Sequence, residues 1–596
     1  MLLNLLNVTV VFGGGLLLAN LIALFYSRKW KWFIGSTVIE LVVIMAFLYV
    51  SLPAKNLSTL LAVNLFLGFM ASVINLMSLS VGDSLASMLE SLMDRANSNH
   101  KNRKHTPSGF AKKYILITVL FVLLGIVLVA TQSVTRVTSI NNVYDTLPSK
   151  TENKSELLTS ARDMPIAIAP DTAKRKMQQK FSVIPNSNMY SLGGITAQVY
   201  QGKYVYVATV EFNGFWRWLK NRDVPGYFII SATDVDAQPE FIQKPLKYSP
   251  SAYLNYDAAR RIYAAFPTYA STGALNLELD DQGTPYYVQT LYKEYGVSGR
   301  MHFNEFKTAI LNATTGQVKL YDANKAPKFV DAPITSAAAN DMNEYFGRYG
   351  KGWWNQTSFG AKRGVKIPTD NGIYEGGKLT PLLDTKGQLM YFTDFTSGNS
   401  EQDSALGYSL INARTGKLTY YRDANSGIMD SDGAISIADK IYPEKKWEAK
   451  MPILYNIDGV PTWIISLLDS KGIFKKYVYI NAIDNDIVID GDSAQEALDG
   501  YRNELATKGS NNHSTDPTQM KDITGKVYRT ATVSDTKQTI VSFVLAGRPT
   551  VFNVNTANAP DALFLQAGDE VSFKADVLDD TKVATIDTIE IKNFNK

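Results

Sequence analysis

The sequence predicts a membrane protein with an N-terminal bundle of four transmembrane helices, an α+β exterior built from repeats, and a small C-terminal β-barrel. Three observations support this fold class. Nearly all long apolar runs precede residue 135. A glycine turn, an aromatic strand and an alanine-containing turn recur four times in the middle of the chain. Short alternating strands follow a polar linker near the C-terminus.

The apolar runs lie at about 2–26, 32–52, 57–81 and 114–134, within a membrane domain of residues 1–134. Each meets the length of about 20 residues that a helix needs to cross a bilayer core. The first run is too long for a cleaved signal peptide, and the next runs follow it too closely. We therefore expect four uncleaved transmembrane helices. The run Gly13-Gly14-Gly15 allows close helix approach and favours bundle or oligomer packing.

Basic residues predict the orientation, because cytoplasmic loops are enriched in Lys and Arg. Those that flank the first, second and fourth spans include Arg28, Lys29, Lys31, Arg103, Lys104, Lys112 and Lys113. The loop between the second and third spans offers only Lys55. This pattern predicts a multi-pass protein of the plasma (inner) membrane of a bacterium or phage host. Both termini and everything after Val134 would lie outside the cytoplasm.

The cytoplasmic stretch 82–113 has two interpretations. Its apolar residues within 83–93 recur at helical spacing, so this part extends the third span or lies along the interface. The basic part that follows either binds anionic lipid or acts as a topology signal alone. The sequence does not separate these alternatives.

Glu40 lies inside the second span, where a carboxylate is costly unless it is neutral or paired. One interpretation is a proton or ion site. The other, which we favour, is a protonated hydrogen-bond donor to Asn64, Asn75 or a neighbouring subunit. A single acidic group without a basic partner is a poor ion path.

Four exterior units are predicted at 170–250, 251–330, 331–425 and 426–508, after a linker at 135–169. In each unit a glycine turn precedes an aromatic-rich strand, and a later strand ends at an alanine 30, 30, 26 or 23 residues beyond the glycine. The glycines are Gly202, Gly283, Gly387 and Gly459, and the alanines are Ala232, Ala313, Ala413 and Ala482. Helices are predicted upstream at 171–181, 253–266, 335–346 and 434–441. The unit is therefore helix, β-hairpin, strand.

Hairpin turns at Asp281, Asp384 and Asp458 with their glycines, and N-A-x-T-G turns at Asn312 and Asn412, carry a resemblance to the PepSY-like domain. The likeness covers roughly 170–490 and concerns element order and turn chemistry. It implies a non-catalytic module for protein or envelope contacts, sometimes inhibitory toward peptidases. It assigns no binding residue.

A polar linker at 509–518 precedes a C-terminal region, 519–596. Five predicted strands, with a Gly568-Asp569 turn before the fourth, resemble an OB-fold. OB-folds often bind single-stranded nucleic acid through a basic groove. From Asp516 onward, however, nine Lys and Arg face eleven Asp and Glu, so protein contact or capping is favoured over nucleic acid.

The composition disfavours catalysis. The chain of 596 residues has no Cys and four His, and its formal charge is +4. No two His have metal-ligand spacing on one exterior element, and nucleophile-elbow and Walker motifs are absent. Acidic clusters at 280–281, 430–433 and 484–492 do not match a calcium loop. We therefore predict no catalytic residue, metal or cofactor, and no enzyme.

Two aromatic clusters are candidate contact sites: Trp216 with Trp218, and Trp353 with Trp354. Exposed tryptophan would suit a protein or glycan contact. The alternative, which we favour, is that these side chains fill the joints between successive units.

Together these patterns predict a membrane-anchored extracytoplasmic scaffold or interaction protein that is a homo-oligomer. Its partners would be the lipid bilayer, further copies of itself, and an envelope protein or glycan. One alternative is a channel or transporter subunit with Glu40 in the membrane path. Another is a regulator of an envelope peptidase acting through the PepSY-like units.

Overall fold

The computed structural model describes residues 2–27, 30–94, 109–153, 168–357, 363–369, 379–384, 386–397, 404–422, 427–457, 460–508, 521–534, 539–575, 577, 583–592 and 594. Within these ranges, apolar helices come first, four mainly antiparallel sheets follow, and a six-stranded sheet ends the chain. The N-terminal part is therefore a helical membrane region, and most of the remainder is β-rich.

The apolar helices are α1 (Leu2–Phe12), α2 (Gly14–Ser27), α3 (Trp30–Ser51), α4 (Leu57–Asp94) and α5 (Gly109–Thr138). Among the described residues, three stretches are long and apolar enough to cross a membrane: Phe33–Ser51, Leu57–Met77 and Ile115–Thr138. A shorter apolar stretch, Gly14–Phe25, lies in α2. The first predicted span, 2–26, is thus divided into two helices at Gly13.

Asn64 of α4 accounts for this division. In a continuous helix the Gly15 amide would donate to the Val11 carbonyl four residues earlier. Instead, Gly15 N donates to Asn64 Oδ1 at 2.7 Å, and Asn64 Nδ2 donates to the Val11 carbonyl at 3.0 Å. A side chain inserted in this way interrupts the helical ladder while it satisfies both backbone groups. A Cβ on Gly15 would lie 1.9 Å from the Asn64 carbonyl oxygen, so this close approach requires glycine.

Two further predicted boundaries are corrected. The helix of the third predicted span, α4, continues to Asp94 rather than ending at 81. The segment 83–93 therefore extends this helix, which was one of the two alternatives for it. The predicted linker 135–169 contains the end of α5, helix α6 (Ile140–Asp145) and strand β1 (Ser149–Glu152). β1 pairs in parallel with residues 418–421 of the third unit. Distant pairing of this kind leaves no local signal in the sequence.

The first two sheets each follow a helix. The first unit contains α7 (Pro170–Gln179), β2 (Tyr190–Tyr200), β3 (Lys203–Phe212), α8 (Phe215–Asn221), β4 (Tyr227–Ser231) and β5 (Glu240–Ile242), in the sheet order β2-β3-β4-β5. The second contains α9 (Ala258–Ala265), β6 (Ala270–Ser271), β7 (Asn276–Leu279), β8 (Pro285–Tyr292), β9 (Lys307–Asn312) and β10 (Val318–Asp322), in the order β10-β9-β8-β6, with β7 also paired to β8.

The next two sheets also each follow a helix. The third unit contains α10 (Ser336–Tyr349), α11 (Trp353–Gln356), β11 (Lys366–Pro368), β12 (Thr380–Leu383), β13 (Leu389–Ser397), β14 (Gly407–Asn412) and β15 (Leu418–Arg422). The fourth contains α12 (Ser431–Ala438), β16 (Glu448–Ile457), β17 (Val460–Leu468), β18 (Phe474–Asn481), β19 (Val488–Gly491) and α13 (Ala494–Lys508). In every unit a further strand follows the aligned alanine turn, so each unit is longer than helix, hairpin, strand.

Capping side chains explain where two of the unit helices begin. Asp257 Oδ1 accepts the Arg260 amide at 2.8 Å, and Asp430 Oδ1 accepts the Gly433 amide at 2.9 Å. Such acceptors satisfy amides that have no partner within the helix. The helix of the second unit, α9, therefore starts at Ala258, later than the predicted 253. The helix of the fourth unit, α12, starts at Ser431, earlier than the predicted 434.

The same pair of backbone hydrogen bonds occurs at the aligned alanine of all four units. Each alanine amide donates to a carbonyl on the aromatic strand at 2.9–3.0 Å, and each alanine carbonyl accepts a backbone hydrogen bond at 2.7–2.9 Å. The donor is two residues before the unit helix in the first, third and fourth units and ten residues before it in the second. The donors to these carbonyls are Ile168, Tyr248, Ile334 and Met429. All four alanines are buried. The turn therefore fixes the helix entry against the end of the sheet in three units, and it fixes the chain upstream of α9 in the second.

Buried side chains from all four units form one continuous hydrophobic core, and the C-terminal region has a separate core. Its strands are β20 (Lys521–Ser534), β21 (Thr539–Leu545), β22 (Val551–Asn555), β23 (Glu570–Ala575), β24 (Val583–Ile586) and β25 (Glu590–Ile591). Their order is β24-β22-β21-β20-β23-β25, with β22 and β24 parallel. The long β20 pairs on both sides and thereby joins the two halves of the sheet.

Candidate functional site

A polar cluster joins three apolar helices around Glu40. Asn20 of α2 donates through Nδ2 to Glu40 Oε2 at 2.5 Å and to Thr37 Oγ1 at 2.8 Å, both on α3. Asn75 of α4 donates to Asn20 Oδ1 at 2.7 Å. Asn20 and Asn75 are buried, whereas Glu40 is half-buried. The cluster therefore ties α2, α3 and α4 together where apolar side chains would give no hydrogen bond.

Of the two asparagines predicted to meet Glu40, Asn75 reaches it through Asn20, whereas Asn64 lies at the α1–α2 junction. Asn20 itself was not predicted from the sequence. Its signal was an amide within the apolar stretch 16–25, twenty residues before Glu40.

The second unit docks on the end of α3 and on the loop between α3 and α4. Tyr49, near the end of α3, accepts a hydrogen bond at its backbone carbonyl from Arg260 Nε at 2.8 Å, and its hydroxyl accepts the Leu254 amide at 2.8 Å. The Arg260 guanidinium carbon also lies 4.0 Å from the centre of the Tyr49 ring, a cation–π distance. Arg260 in turn pairs with the helix-capping Asp257. One arginine therefore links the cap of α9 to the end of α3.

Further contacts extend this junction along the α3–α4 loop. Tyr263 donates its hydroxyl to the Pro53 carbonyl at 2.8 Å, and the Lys55 amide donates to the Pro267 carbonyl at 2.6 Å. Ser58, in the first turn of α4, donates to the Glu294 carboxylate. The loop between the second and third predicted spans thus lies on the same side as the β-rich region.

A second junction joins the end of α5 to the second and third units. Arg300 Nε donates to the Arg136 carbonyl at 2.8 Å, and the Arg300 guanidinium lies over the rings of Tyr345 and Tyr349. Tyr345 also donates its hydroxyl to the Ile140 carbonyl of α6 at 3.4 Å. The β-rich region therefore contacts the ends of α3, α4 and α5. We call these contacts the docking interface.

The predicted aromatic clusters divide into buried and exposed members. Trp218 is fully buried and packs against Tyr253 and Tyr256 of the second unit, so it fills the joint between the first two units. Trp216 is 77% exposed. In the other cluster Trp353 is half-buried, and Trp354 is 68% exposed. Each cluster thus presents one indole to the surroundings.

Both clusters lie beside the docking interface. The Phe215 ring, on the same helix as Trp216, is 5.1 Å from the ring of Tyr253, the neighbour of Leu254. In the other cluster, Gly352 lies against Asn141 at the start of α6, since a Cβ on that glycine would be 3.0 Å from Asn141 Oδ1. Both exposed indoles are therefore placed near the ends of membrane helices.

Buried carboxyl groups form a joint among three units. Glu278 of β7 accepts the Asp331 amide at 2.6 Å and the Ala332 amide at 3.1 Å, and Asp331 accepts the Val199 amide at 2.6 Å. Burial raises the pKa of Glu278, and the nearby Asp331 carboxylate raises it further. Burial also raises the pKa of Asp331. The carboxyl oxygens are occupied by backbone amides, which indicates a structural role.

Arg414, which belongs to the third unit, binds the neighbouring segment 326–330 of the second unit. Its guanidinium donates to backbone carbonyls at 2.6–3.3 Å, which belong to Ala326, Pro327, Lys328 and Val330. A cavity of about 300 Å³ nearby is lined by Ala332 and Tyr391, among other residues of the first three units. The joint therefore fixes these units relative to one another.

Other predicted residues are placed as follows. Lys31 lies in the first turn of α3, and Lys112 and Lys113 lie in the first turn of α5. Arg28, Lys29, Arg103 and Lys104 lie outside the described residues. In the acidic clusters, Asp280 accepts the Thr284 amide at 2.7 Å within a hairpin turn, and Asp430 caps α12. Among the described residues, no group of three or more His, Asp or Glu side chains could hold a metal ion.

Comparison with known proteins yields no family. No protein-family model matches the chain, and no curated protein matches it. Matching solved structures include a glycoside hydrolase, with 10% identity, a TM-score of 0.18, and coverage of 68% of this chain and 91% of that chain. The GH43_1 enzyme from Xanthomonas citri gives 11% identity, a TM-score of 0.18, and coverage of 62% and 87%.

Bacillus subtilis levansucrase gives 9% identity, a TM-score of 0.16, and coverage of 74% of this chain and 98% of that chain. At such low TM-scores these matches carry no inference about fold, substrate or activity. The function must therefore be argued from the residues.

Proposed function

We propose that this chain is a membrane-anchored extracytoplasmic scaffold, without catalytic activity, that assembles as a homo-oligomer and contacts envelope proteins or glycans. The docking interface carries this proposal. It joins the second unit to α3, to the α3–α4 loop and to α5 through Arg260, Tyr263 and Arg300. Glu294 of the same unit bonds Ser58 of α4, and Tyr345 of the third unit bonds α6. Because the four units share one core, this interface holds the β-rich body in one orientation on the membrane.

The proposed topology has four crossings. α1 and α2 together form the first crossing, since Asn64 bridges the Gly15 amide and the Val11 carbonyl across their junction. An even number of crossings places both termini on one side. The basic residues near Lys31 and Lys112 favour the cytoplasm for the opposite side.

The exterior is proposed to contain four copies of one PepSY-like unit followed by an OB-like barrel. The recurring hydrogen bonds at Ala232, Ala313, Ala413 and Ala482 support the repeats. In the C-terminal sheet, β20 pairs with both β21 and β23, and β22 is parallel to β24. This pairing suits a strand set that closes on itself.

Cysteine labelling tests the topology directly, because the natural chain contains no Cys. Asp236→Cys places a thiol on an exposed turn of the first unit, and Asn102→Cys places one in the basic segment. In intact cells a membrane-impermeant maleimide should label Asp236→Cys alone, with Asn102→Cys reacting only after permeabilisation. The reverse pattern would overturn the extracytoplasmic assignment.

Assembly is tested by light scattering of the full-length protein in detergent. A particle of several copies is expected, and a monomer would remove the homo-oligomer from the proposal. Cross-linking in intact cells, followed by mass spectrometry, should recover a constant envelope partner. Recovery of none would count against a scaffold.

A channel or transporter subunit is the second candidate, favoured by the Glu40–Asn20–Asn75 cluster across three helices. Proteoliposomes of the full-length protein and of Glu40→Gln separate the two functions. The scaffold proposal expects no ion flux from either protein. Flux in the natural protein that Glu40→Gln abolishes, with assembly intact, would replace the scaffold with a channel.

A further inference from the structure

We infer that the exposed indoles of Trp216 and Trp354 insert into the outer-leaflet interface of the bilayer that α3 and α5 cross. The two indoles would contact the membrane on either side of the docking interface. We call the surface around each indole, on α8 and on α11, a foothold. This inference rests on the proposed membrane anchoring and adds the lipid surface as a partner of the exterior units.

The first foothold is one face of α8. Phe215, Trp216 and Leu219 are exposed and lie at positions i, i+1 and i+4, whereas Trp218 points into the protein and is fully buried. The exposed Leu254 lies close by, because the ring of its neighbour Tyr253 is 5.1 Å from the Phe215 ring. Exposure of such an apolar patch to water is energetically unfavourable, so we expect it to be buried against another surface.

The position of this patch points to lipid as its cover. The Leu254 amide bonds the hydroxyl of Tyr49, which is two residues from the end of α3. Since α3 ends where the candidate span Phe33–Ser51 ends, Leu254 lies at the edge of the hydrocarbon region. The patch therefore continues the lipid-facing surface of α3, where Val50 is 74% exposed. Tryptophan is enriched at this depth because its ring is apolar and its N–H is polar.

The second foothold is at α11, in the third unit. Gly352 lies against Asn141, three residues after the end of α5, and Trp354 follows two residues later with 68% exposure. The Trp353 ring packs at 4.7 Å from the Trp354 ring and supports it. The two footholds come from the first and third units, whereas much of the docking interface comes from the second. Contacts on both sides would resist tilting of the exterior body about its anchor.

Basic residues favour an anionic lipid surface at the first foothold. Arg217 and Lys220 lie on α8 beside the exposed indole, and Arg222 stacks on Trp218 at 4.5 Å. Cationic side chains near a membrane surface are attracted to anionic headgroups. The occupant is therefore the bilayer itself rather than a soluble protein.

Depth-dependent quenching in the full-length protein tests the inference. Trp216→Cys, Trp354→Cys and Ile483→Cys are each labelled with a small environment-sensitive fluorophore and reconstituted into liposomes that contain a nitroxide lipid. Ile483 is the matched control, since it is an exposed apolar residue in the turn of the fourth unit. Labels at 216 and 354 should be quenched by the lipid nitroxide severalfold more strongly than the label at 483. Equal quenching at the three positions would overturn the inference.

Two controls separate the possible failures. Val50→Cys reports insertion of α3, so a lack of quenching there would contradict the membrane anchoring rather than the footholds alone. Protection of the labels at 216 and 354 from aqueous iodide, without lipid quenching, would assign these surfaces to a protein contact and overturn the lipid assignment.

Discussion

Single residues decide how closely the membrane helices approach one another. Gly15 allows the Asn64 backbone to approach so closely that any Cβ would overlap its carbonyl oxygen at 1.9 Å. The triple glycine was predicted to favour packing, but the sequence could not show which helix it meets. The partner is set by the reach of the Asn64 amide, which depends on the register of two helices that are distant in the sequence.

Gly15→Ala is expected to destabilise the membrane region, because α2 and α4 must move apart to admit the methyl group. Overpacking of this kind costs about 1–3 kcal/mol. The measurement is thermal unfolding of the full-length protein in detergent. Gly125→Ala in α5 is the matched control, since a methyl group on that glycine would meet nothing within 4 Å, and it should change the midpoint little. Equal losses in both variants would contradict the role of Asn64.

The buried carboxyls predict a pH dependence. Burial raises the pKa of Glu278 and of Asp331, so the folded state resists their ionisation more than the unfolded state does. Their stabilising contribution is complete below the ordinary carboxyl pKa near about 4, and it is lost as pH rises through the raised values. The contribution of these two carboxyls to the free energy of unfolding should therefore fall as the pH rises.

Glu278→Gln removes one of these titrations, so its unfolding midpoint should depend less on pH. Denaturant unfolding of both proteins between about pH 5 and about pH 8 measures the difference in slope, whatever the absolute cost of the substitution. The same slope in the two proteins would show that Glu278 is already ionised in the folded state.

At the scale of the structural elements, each of the four units has an aromatic residue four residues after the turn glycine, on the strand that follows this turn. Tyr206 and Tyr391 donate their hydroxyls to the carbonyls of Ile168 and Ile334 at 2.9 and 3.2 Å, and Trp463 Nε1 donates to Met429 at 2.9 Å. The second unit departs from this pattern. Its Tyr287 hydroxyl is buried and has no hydrogen-bond partner within the described part of the chain. The second unit, which supplies much of the docking interface, is thus the one that lacks this contact.

Phenylalanine substitutions should therefore have opposite consequences in different units. Tyr391→Phe removes a buried hydrogen bond and leaves the Ile334 carbonyl without this donor, at an expected cost of about 1 kcal/mol. Tyr287→Phe removes a hydroxyl without a partner and should be neutral or stabilising. Denaturant unfolding of the two variants makes the comparison, and a larger loss for Tyr287→Phe would mean that its hydroxyl has a partner.

The helices and turns were largely predictable because their signals are local. Pro170 begins α7, and Gly283 and Gly387 adopt the positive φ of the predicted hairpin turns. The start of α9 was placed at 253, before the Asp257 that caps it. The added fourth strands and the pairing of β1 with the third sheet were missed. Strand pairing depends on the register between segments that are distant in the sequence. A short, exposed strand has too little alternation of apolar and polar residues to predict that register.

For the whole molecule, the sequence predicted separate membrane and exterior regions but not their docking. Arg260 and Arg300 looked like ordinary charged residues on amphipathic surfaces. Their roles follow from tertiary geometry, in which each donates to a backbone carbonyl near the end of a membrane helix. For the same reason the polar cluster was predicted only in part. Glu40 and Asn75 were identified from the sequence, whereas Asn20 lies between them only because of how the helices pack.

Arg260 and its sequence neighbour Arg261 make the same kind of hydrogen bond in different places, so that Arg261 serves as a control for Arg260. Arg260 Nε donates to the Tyr49 carbonyl across the docking interface, whereas Arg261 Nε donates to the Gly316 carbonyl within its own unit. Arg260→Ala should loosen the α3–α4 loop and α9 without unfolding the sheets. Hydrogen exchange of the full-length protein should show severalfold faster exchange at 52–58 in Arg260→Ala only. Equal acceleration in Arg261→Ala would indicate general destabilisation of the second unit, and no acceleration in either variant would mean that the remaining contacts, at Tyr263 and Arg300, hold the body in place alone.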